Sequence, residues 1–452
     1  MILSKIKQIK YKEYLTKLPK LFQSVNDIKI IYKSKDFKKN ILNQISKAQN
    51  IIYITALYLE NDDAGKDIMH ALYAAKQANE SLDIKIFVDW HRAQRGYIGD
   101  NIDITNADWY YQLSNLYPKI NIFIFGVPIN TREALGVLHL KGFIFDDILI
   151  YSGASISNIY LYNDKKYRYD RYFLIKNSEL TIIMKQFIDE TLLQSKAIQL
   201  FNTLSLPKTV DFKRLIKQFR INLKNSSYHF IGNANNDVLS VSPFVGLGKK
   251  SKLNRVIINL IGSTTDKLIM CTPYFNLPAV FVRIINKLLY NGKKIEIIVG
   301  DKTANDFYSS PEKKFKIISI LPYLYEINLK YFMRSFQYFI DSNQLVIRIW
   351  RDGNNTYHLK GIWVDNCWQL ITGNNLNPRA LRLDLENAIL IHDPKEELVN
   401  QRRNELNYIR TYTKVIKHYT ELENIHEYPI KIKKLIRRIR RIHVDKIINQ
   451  IL

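Results

Sequence analysis

The octapeptide HLKGFIFD spans residues 139–146, and HLKGIWVD spans residues 358–365. The two agree at their first four positions and at their last, leaving the skeleton His-x-Lys, four residues, Asp. His139, Lys141 and Asp146 form one copy; His358, Lys360 and Asp365 form the other. They lie almost half the chain apart, far beyond the roughly 20–50-residue period of a solenoid. The spacing predicts two copies of one domain.

The surrounding patterns repeat in the same order. NIIYITALYL (50–59) reads as a buried strand, GKDIMHALYAAKQA (65–78) as a helix and DIKIFVD (83–89) as a strand, with NIFIFG (121–126) following. In the second half DKLIMCTPYF (266–275) reads as a strand, VFVRIINKLLYNG (280–292) as a helix ending at glycine, and KIEIIVGD (294–301) as a strand. The expected fold class is α/β: two domains from an internal duplication, each with a mainly parallel sheet flanked by helices, sharing one composite site. The expected division is 1–210, 211–428 and a basic amphipathic helix at 429–452.

Within each octapeptide, strand alternation puts histidine and lysine on one face. Gly142 allows close approach by another backbone or a ligand. Asp146-Asp147 and Asp365-Asn366 read as turns leading into ILIYSG and CWQLITG, so each copy is expected to be a hairpin. A single such histidine is usually a packed core residue; two with matching lysine, glycine and turn aspartate point to chemistry.

That chemistry is phosphoryl transfer. The chain has no HExxH, no Cys/His or acidic cluster at metal-ligand spacing, and no GxxxxGK[ST]. Neither metal nor cofactor is expected. One neutral histidine can attack phosphorus while the other gives a proton to the leaving oxygen and takes one from the acceptor. Two lysines can hold the non-bridging oxygens. Asp170 in YRYDRY and Glu386 in RLDLEN stand at comparable downstream places and are the candidate orienting partners.

Composition narrows the partners. A net charge of +25 implies a polyanion: nucleic acid, anionic lipid or a phosphate-rich substrate. The two cysteines, Cys271 and Cys367, imply no disulfide framework and fit a reducing compartment. The N-terminal residues lack the apolar run of a secretory signal, and IIYITALYL is shorter than the ~20 residues of a spanning helix. From Pro429, IKIKKLIRRIRRIHVDKIINQIL sets Ile432, Leu435, Ile436, Ile439, Ile442 and Ile447 at helical spacing among lysines and arginines. Residues 430–452 are therefore expected to attach the chain peripherally to an anionic membrane. RNA or the ribosome is the alternative surface.

Paired HxKxxxxD motifs, each followed by a segment such as GASISN (153–158) or GNNLNPR (373–379), resemble those of the phospholipase D superfamily. VDWHRAQRG, GVPINTREALGVLHLKGF, KYRYDRY, TPYFNLPA, VGDKTANDFY and LIRRIRRI are similar, more narrowly, to its bacterial phosphatidylserine synthases. The resemblance covers nearly the whole chain. It implies that CDP-diacylglycerol and L-serine give phosphatidylserine and CMP through a phosphatidyl-histidine, with no obligatory nucleic-acid substrate. By the same resemblance, His139 is the nucleophile and His358 the acid and base, with the order open to exchange. Lys141 and Lys360 bind phosphate, and Ser155, Asn158, Asn375 and Asn377 line the site. Asp146 and Asp365 hold the hairpins. Tyr58 and Tyr274, ending their strands, are further substrate-contact candidates. The chain departs from the superfamily in reading Gly-Ala-Ser at 153–155 and in having Asn374 where serine is common. A cytoplasmic, membrane-peripheral location is implied. The rival activities are a cardiolipin synthase, a phospholipase D-type phosphodiesterase and a basic nuclease.

Overall fold

The computed structural model describes residues 2–96, 104–161, 166–310, 312 and 315–441. Within them the strand–helix–strand order appears twice. Strand Ile51–Thr55 leads through helix Asp63–Ala78 into strand Asp83–Asp89, and Lys267–Thr272 leads through Ala279–Tyr290 into Lys294–Gly300. The first helix starts where Asp62 accepts from the Gly65 amide at 2.9 Å, satisfying one of the free amides of the opening turn. Both helices bury one apolar stripe, Ile68, Met69 and Leu72 in the first, Phe281, Ile285 and Leu289 in the second.

The α/β class expected from sequence holds, but the sheets are mixed and not mainly parallel. In each, the strands joined by helical crossovers run parallel: Ile51–Thr55, Asp83–Asp89 and Phe123–Val127, and likewise Lys267–Thr272, Lys294–Gly300 and Leu345–Trp350. The motif hairpins then add antiparallel neighbours. Gly142–Phe145 pairs antiparallel with Ile51–Thr55 and with Ile148–Ser152; Gly361–Val364 does the same with Lys267–Thr272 and Trp368–Thr372. Turns of two residues (146–147) and three residues (365–367) cannot return a strand parallel to itself, so the Asp-led turns dictate the antiparallel pairing within each hairpin.

Those aspartates sit at the hairpin tips, in left-handed backbone with φ of 49° at Asp146 and 52° at Asp365. Asp146 accepts from the amides of Gln49, Asn50 and Ile51 at 2.7, 2.9 and 2.9 Å. Asp365 accepts from the amides of Asp266 and Lys267 at 2.8 and 3.1 Å and from the Thr265 hydroxyl at 2.6 Å. Each aspartate thus ties its turn to the loop entering the adjacent strand.

The two sheets meet through their antiparallel sides. One apolar cluster joins Phe143, Ile150 and Phe173 of the first to Val241, Val245, Ile371 and Ile389 of the second. Each such fully buried aliphatic or aromatic side chain contributes about 1.5–3 kcal/mol, which fixes one half against the other. The start of the chain, which the expected division assigns to the first domain, is built into the second sheet: Leu21–Phe22 pairs with Ser240–Leu247. Gly142, expected to admit a backbone or ligand, instead packs beside the Met184 and Leu149 side chains; it has a φ of 130°.

Loss of the Asp365 clasp should cost about 1–3 kcal/mol, the penalty of leaving polar groups unpaired. Asp365→Ala is expected to lower the denaturation midpoint in a thermal or urea melt, and an unchanged midpoint would contradict the clasp.

Candidate active site

Two short pairings cross between the halves and set the site. Strand Leu138–His139 lies parallel to Leu385–His392, with Glu386 opposite His139. Strand Thr356–Tyr357 lies parallel to Arg168–Tyr169, and the His358 amide donates to the Tyr169 carbonyl at 2.8 Å. Each histidine is thereby delivered to a carboxylate of the other half. His139 Nδ1 lies 2.9 Å from Glu386 Oε2, and His358 Nδ1 lies 2.9 Å from Asp170 Oδ2. With Nδ1 engaged, Nε2 is the ring atom that can face a substrate. At His358 the Lys360 ammonium nitrogen stands against the same ring, 2.5 Å from Nδ1 and 3.2 Å from Nε2.

The lysines follow their histidines into the same buried space. Lys141 donates to Ser155 Oγ at 3.1 Å, and Lys360 reaches Asp170 Oδ2 at 3.2 Å. Both are essentially inaccessible, at 1% and 0% relative exposure, so each ammonium can be repaid only by charges inside the site. The glycines opening the downstream segments make the space. A β-carbon on Gly153 would stand 2.8 Å from Asp170 and 2.9 Å from Lys360 Nζ, and one on Gly373 would stand 2.9 Å from Lys141 Cγ. Here only glycine lets the other half's side chain pass.

The residue after each carboxylate grips the opposite half. Arg171 makes a two-pronged pair with Glu405 at 2.7 and 3.1 Å, and donates to the Leu370 carbonyl at 3.0 Å. Asn387 accepts from the Lys141 amide at 2.9 Å and donates back to the Lys141 carbonyl at 2.7 Å. Upstream of His139, Asp89 accepts from the Leu138 amide at 2.9 Å. Tyr160 adds its hydroxyl 3.0 Å from His358 Nδ1. Sequence reasoning missed Arg171, Asn387 and Tyr160. For Arg171 and Asn387 the signal lay in the quoted stretches YRYDRY and RLDLEN, where the residue beside each carboxylate also occupies a matching place; Tyr160 lies outside them.

The electrostatics are lopsided. Burial first, then Lys141 and Lys360, hold His139 well below the ordinary histidine value. Burial and Lys360 push His358 down to about 3. Lys141 is pushed down to about 7 by burial and by Lys360. Burial also works against the Asp170 carboxylate, but Lys360 and His358 outweigh it and keep the group below its usual range. Glu386 has no such compensation: burial drives it up to about 8 against the pull of Lys141. Its Oε1 is buried without a hydrogen-bond partner. At neutral pH, then, both imidazoles are neutral; Asp170 is ionised and Glu386 carries a proton.

Of the other expected site residues, Ser155 stands beside Lys141, as its hydrogen bond shows. Asn375 buries an unpartnered Oδ1, while its carbonyl accepts from Thr272 Oγ1 at 2.8 Å. The Asn158 and Asn377 side-chain oxygens are spent on backbone amides, those of Ala64 at 2.8 Å and Ala380 at 2.9 Å. Tyr274 faces the His358 ring with centroids 6.0 Å apart. Tyr58 lies under the Arg92 guanidinium, 4.6 Å away.

With this geometry in hand, comparison with known proteins is informative. Residues 257–410 match the family model described as cardiolipin synthase, PLD-like domain. Across 451 residues the chain is 53% identical to a CDP-diacylglycerol–serine O-phosphatidyltransferase of Escherichia coli, covering all of both chains. It is 48% identical over 457 residues to the enzyme of that name from Haemophilus influenzae, again covering all of both. The crystal structure of phosphatidylserine synthase from H. influenzae Rd KW20 superposes with a TM-score of 0.96 at 47% identity, covering 99% of this chain and 100% of that one.

The depressed histidines give a pH test with a definite sign. In the unfolded chain a histidine titrates near 6.5, whereas His358 in the fold titrates at about 3. Between these values the unfolded state binds the extra proton, so this contribution to stability is complete above pH 6.5 and is lost as pH falls toward 3. His358→Gln removes it. The variant's stability is expected to fall less steeply with acidification, by at most about 1.4 kcal/mol per pH unit for one proton. Parallel slopes in urea titrations between pH 7 and 5 would contradict a buried neutral His358.

Proposed function

Because the chain belongs to the CDP-diacylglycerol–serine O-phosphatidyltransferase family, we propose that it makes phosphatidylserine and CMP from CDP-diacylglycerol and L-serine, by double displacement at the crossed histidines. In this reading the two sequence halves, dividing near residue 210, are phospholipase D-like domains contributing equally to one site. The single observation that carries it is the reciprocal pairing of His139 with Glu386 and His358 with Asp170.

His139, neutral, attacks the phosphorus that bears diacylglycerol. The P–N bond forms, the pyrophosphate P–O bond breaks, and His358, which takes up a proton once the bound phosphates offset the lysine charges that depress it, passes that proton to the departing CMP oxygen. His358 then takes the proton of the serine hydroxyl as its oxygen attacks, the P–N bond breaks and His139 is regenerated. Each histidine becomes cationic in its turn, His139 when phosphorylated and His358 when protonated, and the ionised Asp170 favours the charge at His358. Lys141 and Lys360 meet the anionic phosphate oxygens, whose negative charge offsets the two buried ammoniums and raises the histidines from their depressed values. Ser155 and Asn375 assist at the phosphate, and no metal is called upon.

The lipid substrate requires a visit to a membrane surface. Among the described residues no helix is long and apolar enough to cross a bilayer. Helix Ile430–Arg441 buries Ile432 and Ile436 against Ile320, Tyr323, Leu324 and Tyr428, so this part of its apolar stripe is spent on the protein. Ile442 and Ile447 lie outside the described residues. Lys431, Lys434, Arg437, Arg438 and Arg441 remain exposed. The proposed attachment is therefore electrostatic, with about 1 kcal/mol per basic residue from an anionic surface, and peripheral to the cytoplasmic face of the membrane. Arg437→Glu with Arg438→Glu is expected to weaken sedimentation with phosphatidylglycerol vesicles; retained vesicle binding with lost RNA binding would favour the ribosome or RNA instead.

The decisive assay is CMP release from CDP-diacylglycerol in detergent micelles with EDTA, with and without labelled L-serine. Serine-dependent release with label entering lipid is expected; release indifferent to serine would indicate a hydrolase or another acceptor. His139→Ala and His358→Ala should each lower transfer by about 10²–10⁴-fold. They should differ in one respect. CMP is a phosphate leaving group with a second pKa near 6, so it leaves with little help, whereas serine cannot attack without a base. His358→Ala should therefore retain lipid label on the protein and His139→Ala should not. The opposite pattern would exchange the roles.

A further inference from the structure

Beside His358, behind the tyrosines that flank its ring, stands a charged pair that the reaction scheme leaves unused. Arg168 Nη1 lies 3.6 Å from Asp306 Oδ2, longer than the about 2.7–2.9 Å of a charge-assisted hydrogen bond. The Arg168 guanidinium covers the Tyr160 ring at 5.0 Å, and its Nε donates to Thr356 Oγ1 at 3.3 Å. Asp306 Oδ1 accepts from the Tyr274 hydroxyl at 2.7 Å. The same two tyrosines flank His358 edge-on, with centroids at 5.6 Å for Tyr160 and 6.0 Å for Tyr274. The charged pair and the imidazole thus share one pair of aromatic walls. The Arg168 and Asp306 side chains keep 14% and 16% exposure against 9% for His358, so they are the more open members of the cluster.

Chemistry says what comes to this place. In two successive in-line displacements, the acceptor oxygen enters where the CMP oxygen left, beside His358. An amino-acid acceptor then carries its carboxylate and its ammonium two carbons from that oxygen. One charge of each sign can engage a loosely joined Arg–Asp pair and leave neither partner uncompensated. A polyol or water engages neither.

We infer that Arg168 and Asp306 recognise the acceptor, Arg168 binding the carboxylate and Asp306 the ammonium of the zwitterion whose hydroxyl is phosphatidylated. The inference rests on the transferase reading above. Asp306 is the discriminating member: Arg168 also suits the anionic phosphate of CMP, whereas Asp306 repels it. The tyrosines hold the pair and add a π face for the ammonium.

The test uses the full chain in CDP-diacylglycerol micelles with three acceptors: L-serine, 3-hydroxypropionate, which lacks the ammonium, and ethanolamine, which lacks the carboxylate. Asp306→Asn should raise the KM for serine about tenfold or more with a smaller change in kcat, and should narrow the preference for serine over 3-hydroxypropionate. Arg168→Gln should instead narrow the preference for serine over ethanolamine, and Arg168→Lys should recover part of it. Equal losses on all three acceptors would mean a purely structural ion pair and would overturn the inference, as would a serine KM within twofold of the parent's. The parent enzyme separates the two levels: if it shows no serine-dependent CMP release, the transferase reading fails and takes this inference with it. If the parent transfers to serine and the acceptor preferences do not move, only the assignment of Arg168 and Asp306 fails.

Discussion

A histidine on one half of the chain bonded to a carboxylate on the other, twice and in opposite directions, is the constraint from which the remaining arrangement follows. His139 cannot meet Glu386, nor His358 meet Asp170, unless the antiparallel sides of the two sheets face each other. That packing in turn requires the shared apolar cluster, the glycines at 153 and 373, and the grips of Arg171 and Asn387. Neither half holds a complete His–carboxylate pair of its own. A duplication whose copies complete each other's sites explains why the motif occurs twice in one chain.

The same arrangement accounts for the charge within the site. Two fully buried lysines pushed towards neutrality, Lys141 to about 7, with one buried carboxylate kept ionised by Lys360 and His358 and the other driven up by burial, leave the site short of negative charge. Burying cations this way costs stability, and a substrate bearing phosphate anions supplies what is missing. The site is therefore tuned for a polyanion before any substrate group is recognised in detail. The overall net charge of +25 acts at longer range and is screened over about 10 Å of saline.

Much of this was legible in the sequence, for identifiable reasons. The octapeptides, the strand–helix–strand order and the turn aspartates are local patterns, and the structure places them where their periodicity predicts: helix 65–78 is Asp63–Ala78, and strand 83–89 is Asp83–Asp89. The mixed sheets were implicit in the hairpins but were masked by the more conspicuous crossovers. What could not be read was the crossing itself. The pairings Leu138–His139 with Leu385–His392, and Arg168–Tyr169 with Thr356–Tyr357, are too short to leave a periodic signal and join residues far apart in sequence. Asn158 and Asn377 looked like site residues because they follow the motifs, yet helix starts claim their side-chain oxygens. Arg168 and Asp306 lie within the quoted stretches KYRYDRY and VGDKTANDFY, yet nothing local sets them apart from their neighbours until folding joins them beside the tyrosines that flank His358.

If both histidines act on one phosphorus in turn, the stereochemistry of transfer must record it. The measurement is the configuration of phosphatidylserine formed from CDP-diacylglycerol made chiral, by a single sulfur substitution, at the phosphorus that bears diacylglycerol. Two in-line displacements, first by His139 and then by serine, predict net retention. Net inversion would mean that serine attacks CDP-diacylglycerol directly, and would contradict a covalent histidine intermediate at the crossed site.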